Sequence, residues 1–173
     1  ILQLKQVISE LQNYLVHSGH AIDEDIALGA MIEVPSAALN AENLAKHLDF
    51  MSIGTNDLTQ YTMAVDRGNE KICSLYQQYH PSLWKLIKIT SEAASKTNTE
   101  ITVCGELAGN VLGGCGLFGL GIKNLSMISN AIPKVKEELI SHSDSEFIEL
   151  AESFLEASNT TQIKEIFEDW RIY

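Results

Sequence analysis

Basic side chains are scarce in this chain. Twelve Lys and Arg stand against 23 Asp and Glu, a formal net charge of -11. The imbalance is steepest at the end, where residues 137–173 hold 10 of the acidic groups and 2 of the basic ones. A surface of that sign repels phosphate backbones, which excludes general nucleic-acid binding and disfavours anionic membranes. No apolar run approaches the roughly 18 residues of a membrane span, and no signal peptide opens the sequence. The three cysteines, Cys73, Cys104 and Cys115, are odd in number and lack CxxC spacing. They suit a reducing compartment better than a disulfide framework. The five His are scattered, and none shares metal-ligand spacing with a Cys, which argues against zinc. At 173 residues the chain also falls short of the about 250 that a complete eight-stranded β/α barrel needs. It starts at Ile1 in mid-pattern without an initiator Met, so the expectation is a piece of something longer.

What is present is an alternation of short apolar runs with helical periodicity. Leu4, Val7, Ile8, Leu11, Tyr14 and Leu15 share one face of a helix over 1–19. The stretch 27–34 is apolar on both faces and stopped by Pro35, which predicts a parallel strand buried on both sides. Helical spacing returns over 36–48. Phe50–Ile53 predicts a second strand, ended by the loop Gly54–Asp57. Polar helical turns follow to about Gln78, and a helix runs from Pro81, well placed in a first turn, to about Lys96. Ile101–Cys104 and Asn124–Met127 predict strands three and four. Helices are expected at about 107–120, 130–141, 144–157 and 160–170, the last two packing on the outside. Four strands alternating with helices make an α/β fold with a parallel sheet and right-handed crossovers. In such folds chemistry collects at the carboxyl ends of the strands, and the polar clusters here do fall just after each apolar run.

Glu33 follows the first strand as the only acid in an apolar stretch. It is either a salt-bridged core acid or a ligand, because an unpaired buried carboxylate is costly. Asn56 and Asp57 follow the second strand and could serve as a helix N-cap. Taken together, Glu33 and Asp57 at neighbouring strand ends could share a hard cation such as Mg2+, which takes one or two carboxylates plus substrate oxygens and water. Arg67, one of only two Arg, could be a surface ion pair or could grip a phosphate with its planar fork. Cys104 ends the third strand beside Gly105 and Glu106, so it is either an inert buried thiol or an acid–base group. Gly114–Gly119 matches GxGxxG, but without the strand before it and the helix after it the dinucleotide reading fails. His17 and His20 read as a helix terminus.

The segments GAMIEVPSA, FMSIGTNDLTQYTMAVDRGN, SLYQQYHP, TVCGELAGN and NLSM occur in this order and spacing. Together they closely resemble the phosphoenolpyruvate-binding barrel of the enzyme I type, found in bacterial phosphotransferase systems, densely over residues 26–140. The resemblance implies a fold and a set of roles. The fold is the C-terminal part, about four βα units, of a (β/α)8 barrel spanning 1–141, with a helical extension of the same domain at 142–173. Glu33 and Asp57 would hold Mg2+. Asn56 would contact the phosphate of phosphoenolpyruvate, and Arg67 would neutralise it as the phosphoryl group departs. Cys104 would protonate the methylene carbon of the enolate to give pyruvate. The family's phosphoryl acceptor is a His in a separate N-terminal domain, in a Thr-Ser-His context that none of the five His here has. That domain would also dock a phosphocarrier protein.

The resemblance further implies a homodimer, the bacterial cytoplasm and a link to sugar uptake or to its nitrogen-regulatory paralogue. The two open edges of half a barrel independently predict self-association. Asn110 stands where the family commonly has Asp. The same barrel occurs in pyruvate phosphate dikinase and phosphoenolpyruvate synthase, which remain alternatives, as does a non-catalytic dimerisation module.

Overall fold

The computed structural model describes residues 1–172. Helix α1 (Leu2–His17) leads through a polar turn to strand β1 (Gly29–Ile32). The expected single helix over 36–48 is two, α2 (Pro35–Leu39) and α3 (Ala41–Ala45), broken at Asn40. Strand β2 (Phe50–Gly54) runs directly into α4 (Thr55–Met63), and residues 64–80 form a long excursion with one 3-10 turn at Cys73–Leu75. Then follow α5 (Pro81–Thr97), β3 (Glu100–Cys104), α6 (Val111–Gly119), β4 (Asn124–Ser126), α7 (Ile132–Ser141), α8 (Asp144–Glu156) and α9 (Thr160–Ile172).

The four strands are all parallel and lie in the order β1-β2-β3-β4. Sequential order is that of a barrel wall; a doubly wound sheet would reverse direction at a switch point. Along the strands, burial alternates with the pleat. Ile32, Met51, Ile53 and Val103 are fully buried beneath the helices, while Met31, Phe50, Asn124 and Ser126 on the opposite face are exposed. This corrects the expectation for the first strand, which is shorter than 27–34 and buried on one face only. Its second face is apolar because Met31 points to the open side of the sheet, where the described residues supply no second layer. Helix α1 has the expected apolar stripe, yet none of its residues is buried, and Leu2, Leu4, Val7, Leu11 and Tyr14 are exposed.

The C-terminal helices depart from the expectation that they pack on the outside. Phe147, Leu150, Ala151 and Phe154 of α8, with Ile163 and Phe167 of α9, are buried in the one core, and the Phe154 ring lies 5.1 Å from that of Trp84 in α5. Their acidic residues, from Asp144 to Asp169, all face solvent. The acidic excess therefore coats the outer side of helices whose inner side completes the core. The GxGxxG match lies inside α6, where the absence of side chains lets α8 approach. A Cβ on Gly119 would collide with the backbone carbonyl of Phe147, and one on Gly116 with the rings of Trp84 and Phe154.

Helix α6 starts later than residue 107 because Leu107–Asn110 form a turn. Asn110 is its N-cap, and the side-chain oxygen accepts from the amides of Leu112 (3.1 Å) and Gly113 (3.5 Å). The Asn110 side-chain amide is thus the N-cap of α6. Asn110→Ala should cost about 1 kcal/mol. Calorimetric melting should then fall by roughly 2–4 °C, while Asn110→Asp should not lower it.

Candidate active site

The candidate site lies at the carboxyl ends of β1, β2 and β3. Glu33 is the residue after β1 and is half-buried. Among the described residues it has no ion-pair partner, so it is not the salt-bridged core acid that the sequence allowed. Its carboxylate instead lies over Gly54, where an added Cβ would sit 3.2 Å from Glu33 Oε2. Gly54 is the N-cap of α4 and makes no side-chain cap. Asn56 and Asp57 therefore are not caps and do not lie in a loop. They occupy the first helical turn, with Asp57 three residues past the glycine that carries Glu33.

Arg67 comes back to this turn from the 64–80 excursion. Its Nη2 is 3.7 Å from Asp57 Oδ1, and both side chains remain about 40% exposed (43% and 41%). The Arg67 backbone amide donates to Gln60 Oε1 (3.1 Å), which fixes the start of the excursion against α4. A pair this open adds little stability. It leaves the guanidinium fork free to take another anion.

Cys104 ends β3 level with Gly54 of β2. It is half-buried; its thiol approaches the Ile53 carbonyl (3.6 Å) and receives a hydrogen bond from the Ser52 hydroxyl (3.7 Å). Ser52 in turn accepts from Thr102 Oγ1 (3.0 Å). The alternation that places Ser52 and Thr102 on the open face of β2 and β3 is the sequence signal for these two hydroxyls. The other cysteines are elsewhere. Cys73 is exposed, and Cys115 is buried with its thiol pushed up to about 12, first by burial and then by the Glu138 carboxylate.

The turn after β3 is stitched to the start of α4. Thr55 Oγ1 donates to the Cys104 carbonyl (3.1 Å), and the Glu106 amide donates to Asn56 Oδ1 (3.2 Å). Gly105 makes this possible: its φ is +116°, and a Cβ there would collide with Thr55 Oγ1 and lie 3.2 Å from Asn56 Oδ1. Thr55, Gly105 and Glu106 were not singled out from sequence as members of the site. Only the pairing of β2 with β3 brings them together. A cavity of about 410 Å³ opens beside this stitch, lined by Asn56, Gly105, Glu106, Met127 and Ile128 among others.

The donors fit a small hard cation. Glu33 supplies a carboxylate just after β1, and Asp57 supplies one in the first turn of α4. Among the described residues no third His, Cys, Asp or Glu joins them to form a closed cage. Mg2+ is typically held by one or two carboxylates and completes its octahedron with substrate oxygens and water.

The profile of the family described as PEP-utilising enzyme, PEP-binding domain, matches residues 1–144. The chain belongs to that family. Its four βα units are half of the eight that make a β/α barrel of the PEP-binding type. Among curated relatives, a phosphoenolpyruvate-protein phosphotransferase of Haemophilus influenzae is 41% identical over 170 residues, covering 98% of this chain and 30% of that protein. Proteins of the same name from Borreliella burgdorferi and Bacillus subtilis are 45% and 40% identical, over 87% and 93% of the chain. The chain thus spans less than a third of the length of these relatives. The PEP-binding profile stops at residue 144, at the first turn of α8, whereas the likeness to the Haemophilus phosphotransferase continues through the C-terminal helices.

Proposed function

We propose that this chain is the substrate-binding part of a Mg2+-dependent phosphoenolpyruvate–protein phosphotransferase. The phosphoryl group would pass to a His in a domain outside these residues, and pyruvate would be released. The observation that carries the reading is the Asp57–Arg67 pair. It sets a candidate metal ligand and a phosphate-binding fork 3.7 Å apart, at the strand ends that also carry Cys104. When bound, Mg2+ would offset the charge of the phosphate and carboxylate oxygens.

Asn56 and the first turn of α4 present donors to the phosphate, and Arg67 compensates the charge that develops as the bond to the enol oxygen breaks. Such transfer depends on positioning and charge compensation more than on covalent chemistry by the protein. Loss of the phosphoryl group leaves the enolate of pyruvate. The Cys104 thiol gives its proton to the methylene carbon, and the resulting thiolate is held by the Ser52 hydroxyl. In the reverse direction the thiolate removes that proton.

The partners of this reading are phosphoenolpyruvate, pyruvate and a phosphocarrier protein met by the domain that carries the acceptor His. A second copy of the protein would be met through the barrel, and the setting would be the bacterial cytoplasm and sugar uptake. No described helix is long and apolar enough to cross a membrane. Calorimetric titration of the full-length protein with phosphoenolpyruvate, with and without Mg2+, tests the core of the proposal. Mg2+-dependent binding should weaken at least about tenfold in Asp57→Asn, because one of two carboxylate ligands loses its charge. Equal binding by the variant would remove Asp57 from the metal site.

A further inference from the structure

The roles proposed above leave one sequence segment without a task. SLYQQYHP runs from the 3-10 turn into the first residue of α5, about twenty residues past Asn56, yet it returns to the site. Tyr76 Oη donates to the backbone carbonyl of Asn56 at 3.2 Å. Asn56 is therefore gripped from two directions, by Tyr76 at its carbonyl and by the Glu106 amide at its side chain. We propose that Tyr76 is a positioning residue. Its hydroxyl locks the 64–80 excursion, and with it Arg67, to the first turn of α4 that holds Asn56 and Asp57. This inference rests on the reading of the site given above.

The surroundings of the phenol support it. Tyr76 is half-buried, and burial pushes its ionisation above the ordinary tyrosine range. The Thr59 hydroxyl and the Arg67 guanidinium pull the other way, while Glu106 and Asp57 add to the rise. The hydroxyl thus stands in the field of the same three charged groups that frame the site, and it stays a proton donor at neutral pH. The next residue is held independently: Thr160, the first residue of α9, donates from its hydroxyl to Gln77 Oε1 at 2.7 Å. Tyr79 is buried, with Lys164 of α9 5.8 Å from its ring centre. The far end of the excursion is pinned to a helix beyond the PEP-binding profile. Its near end is tied at the Arg67 amide to Gln60. Tyr76 is the tie between the two that reaches the helix turn carrying the ligands. An excursion of this length has many conformations to lose. Small misplacement of a group that compensates transition-state charge is costly in rate.

The experiment measures the single-turnover rate of pyruvate release at subsaturating phosphoenolpyruvate in the full-length protein. It compares the parent with Tyr76→Phe, Arg67→Ala, the double variant and Asp57→Asn, with calorimetric melting as a check on folding. Tyr76→Phe keeps the ring and removes only the hydroxyl, so melting should move little. The rate should fall about tenfold in the parent background and less than about twofold in the Arg67→Ala background, because the tie acts through Arg67. An unchanged rate, or the same factor in both backgrounds, overturns the assignment. If Asp57→Asn keeps full turnover, the reading of the site fails and this inference falls with it. If Asp57→Asn is inactive while Tyr76→Phe is silent, only the role of Tyr76 fails.

Discussion

Arg67→Ala in the full-length protein should lower single-turnover phosphoryl transfer by roughly 10³-fold, the scale at which an arginine compensates a departing phosphoryl group. The expectation follows from what the pair with Asp57 is and is not. At 3.7 Å and about 40% exposure on each side it contributes little to folding, so the variant should melt close to the parent. The loss should therefore appear in rate with the protein intact. Arg67→Lys should recover only part of it, because an ammonium keeps the charge but lacks the planar fork. Quenched-flow measurement of pyruvate formation, with melting curves for all three proteins, checks both statements. A rate within a fewfold of the parent would return Arg67 to the status of a surface ion pair.

Gly105→Ala should damage stability and the site together. At φ +116° an L side chain is strained, at a cost of about 1–3 kcal/mol. The added methyl would also meet Thr55 Oγ1, and forcing an atom into a packed contact costs roughly another 1–3 kcal/mol. Melting should therefore drop by roughly 4–24 °C for a chain of this size. Relief of the strain would push Thr55 and Asn56 away from the turn after β3, breaking the bonds to the Cys104 carbonyl and the Glu106 amide. Phosphoenolpyruvate binding should be lost at temperatures where the variant is still folded. Calorimetric melting followed by titration at low temperature separates the two effects. Parental melting and parental binding would mean that the turn can flip without consequence.

Much of the fold was legible in local pattern. Strands two, three and four, with the helices starting at Pro81 and near 144 and 160, were readable from periodicity and proline position. The capping box of Ser143 with Glu146 at the start of α8 is a local signal that agrees with them. The errors have physical causes. The interval 36–48 kept one helical period across Asn40, so nothing local announced the break. The stretch 27–34 looked buried on both faces because a face that meets the open side of a barrel wall can be as apolar as one that meets helices. The acidic C-terminal helices looked peripheral because charge dominates their composition, while only five or six apolar positions fix where they pack.

Local sequence pattern was enough to set the alternation of parallel strands with helices and to place Glu33, Asn56, Asp57 and Cys104 at strand ends. These depend on short-range spacing, which a single chain displays directly. It also carried the family, because several motifs fall in one order. Which residues serve those groups depended on how the elements pack. Gly105 meets Thr55, and Glu106 meets Asn56, because β2 and β3 lie in register. Tyr76 reaches Asn56 because the 64–80 excursion folds back, and α8 seats on the glycines of α6 because their side chains are absent. Each of those contacts joins residues about 20 to 50 positions apart in the chain. No local periodicity encodes such a pair, since its energy exists only once the elements between them have packed.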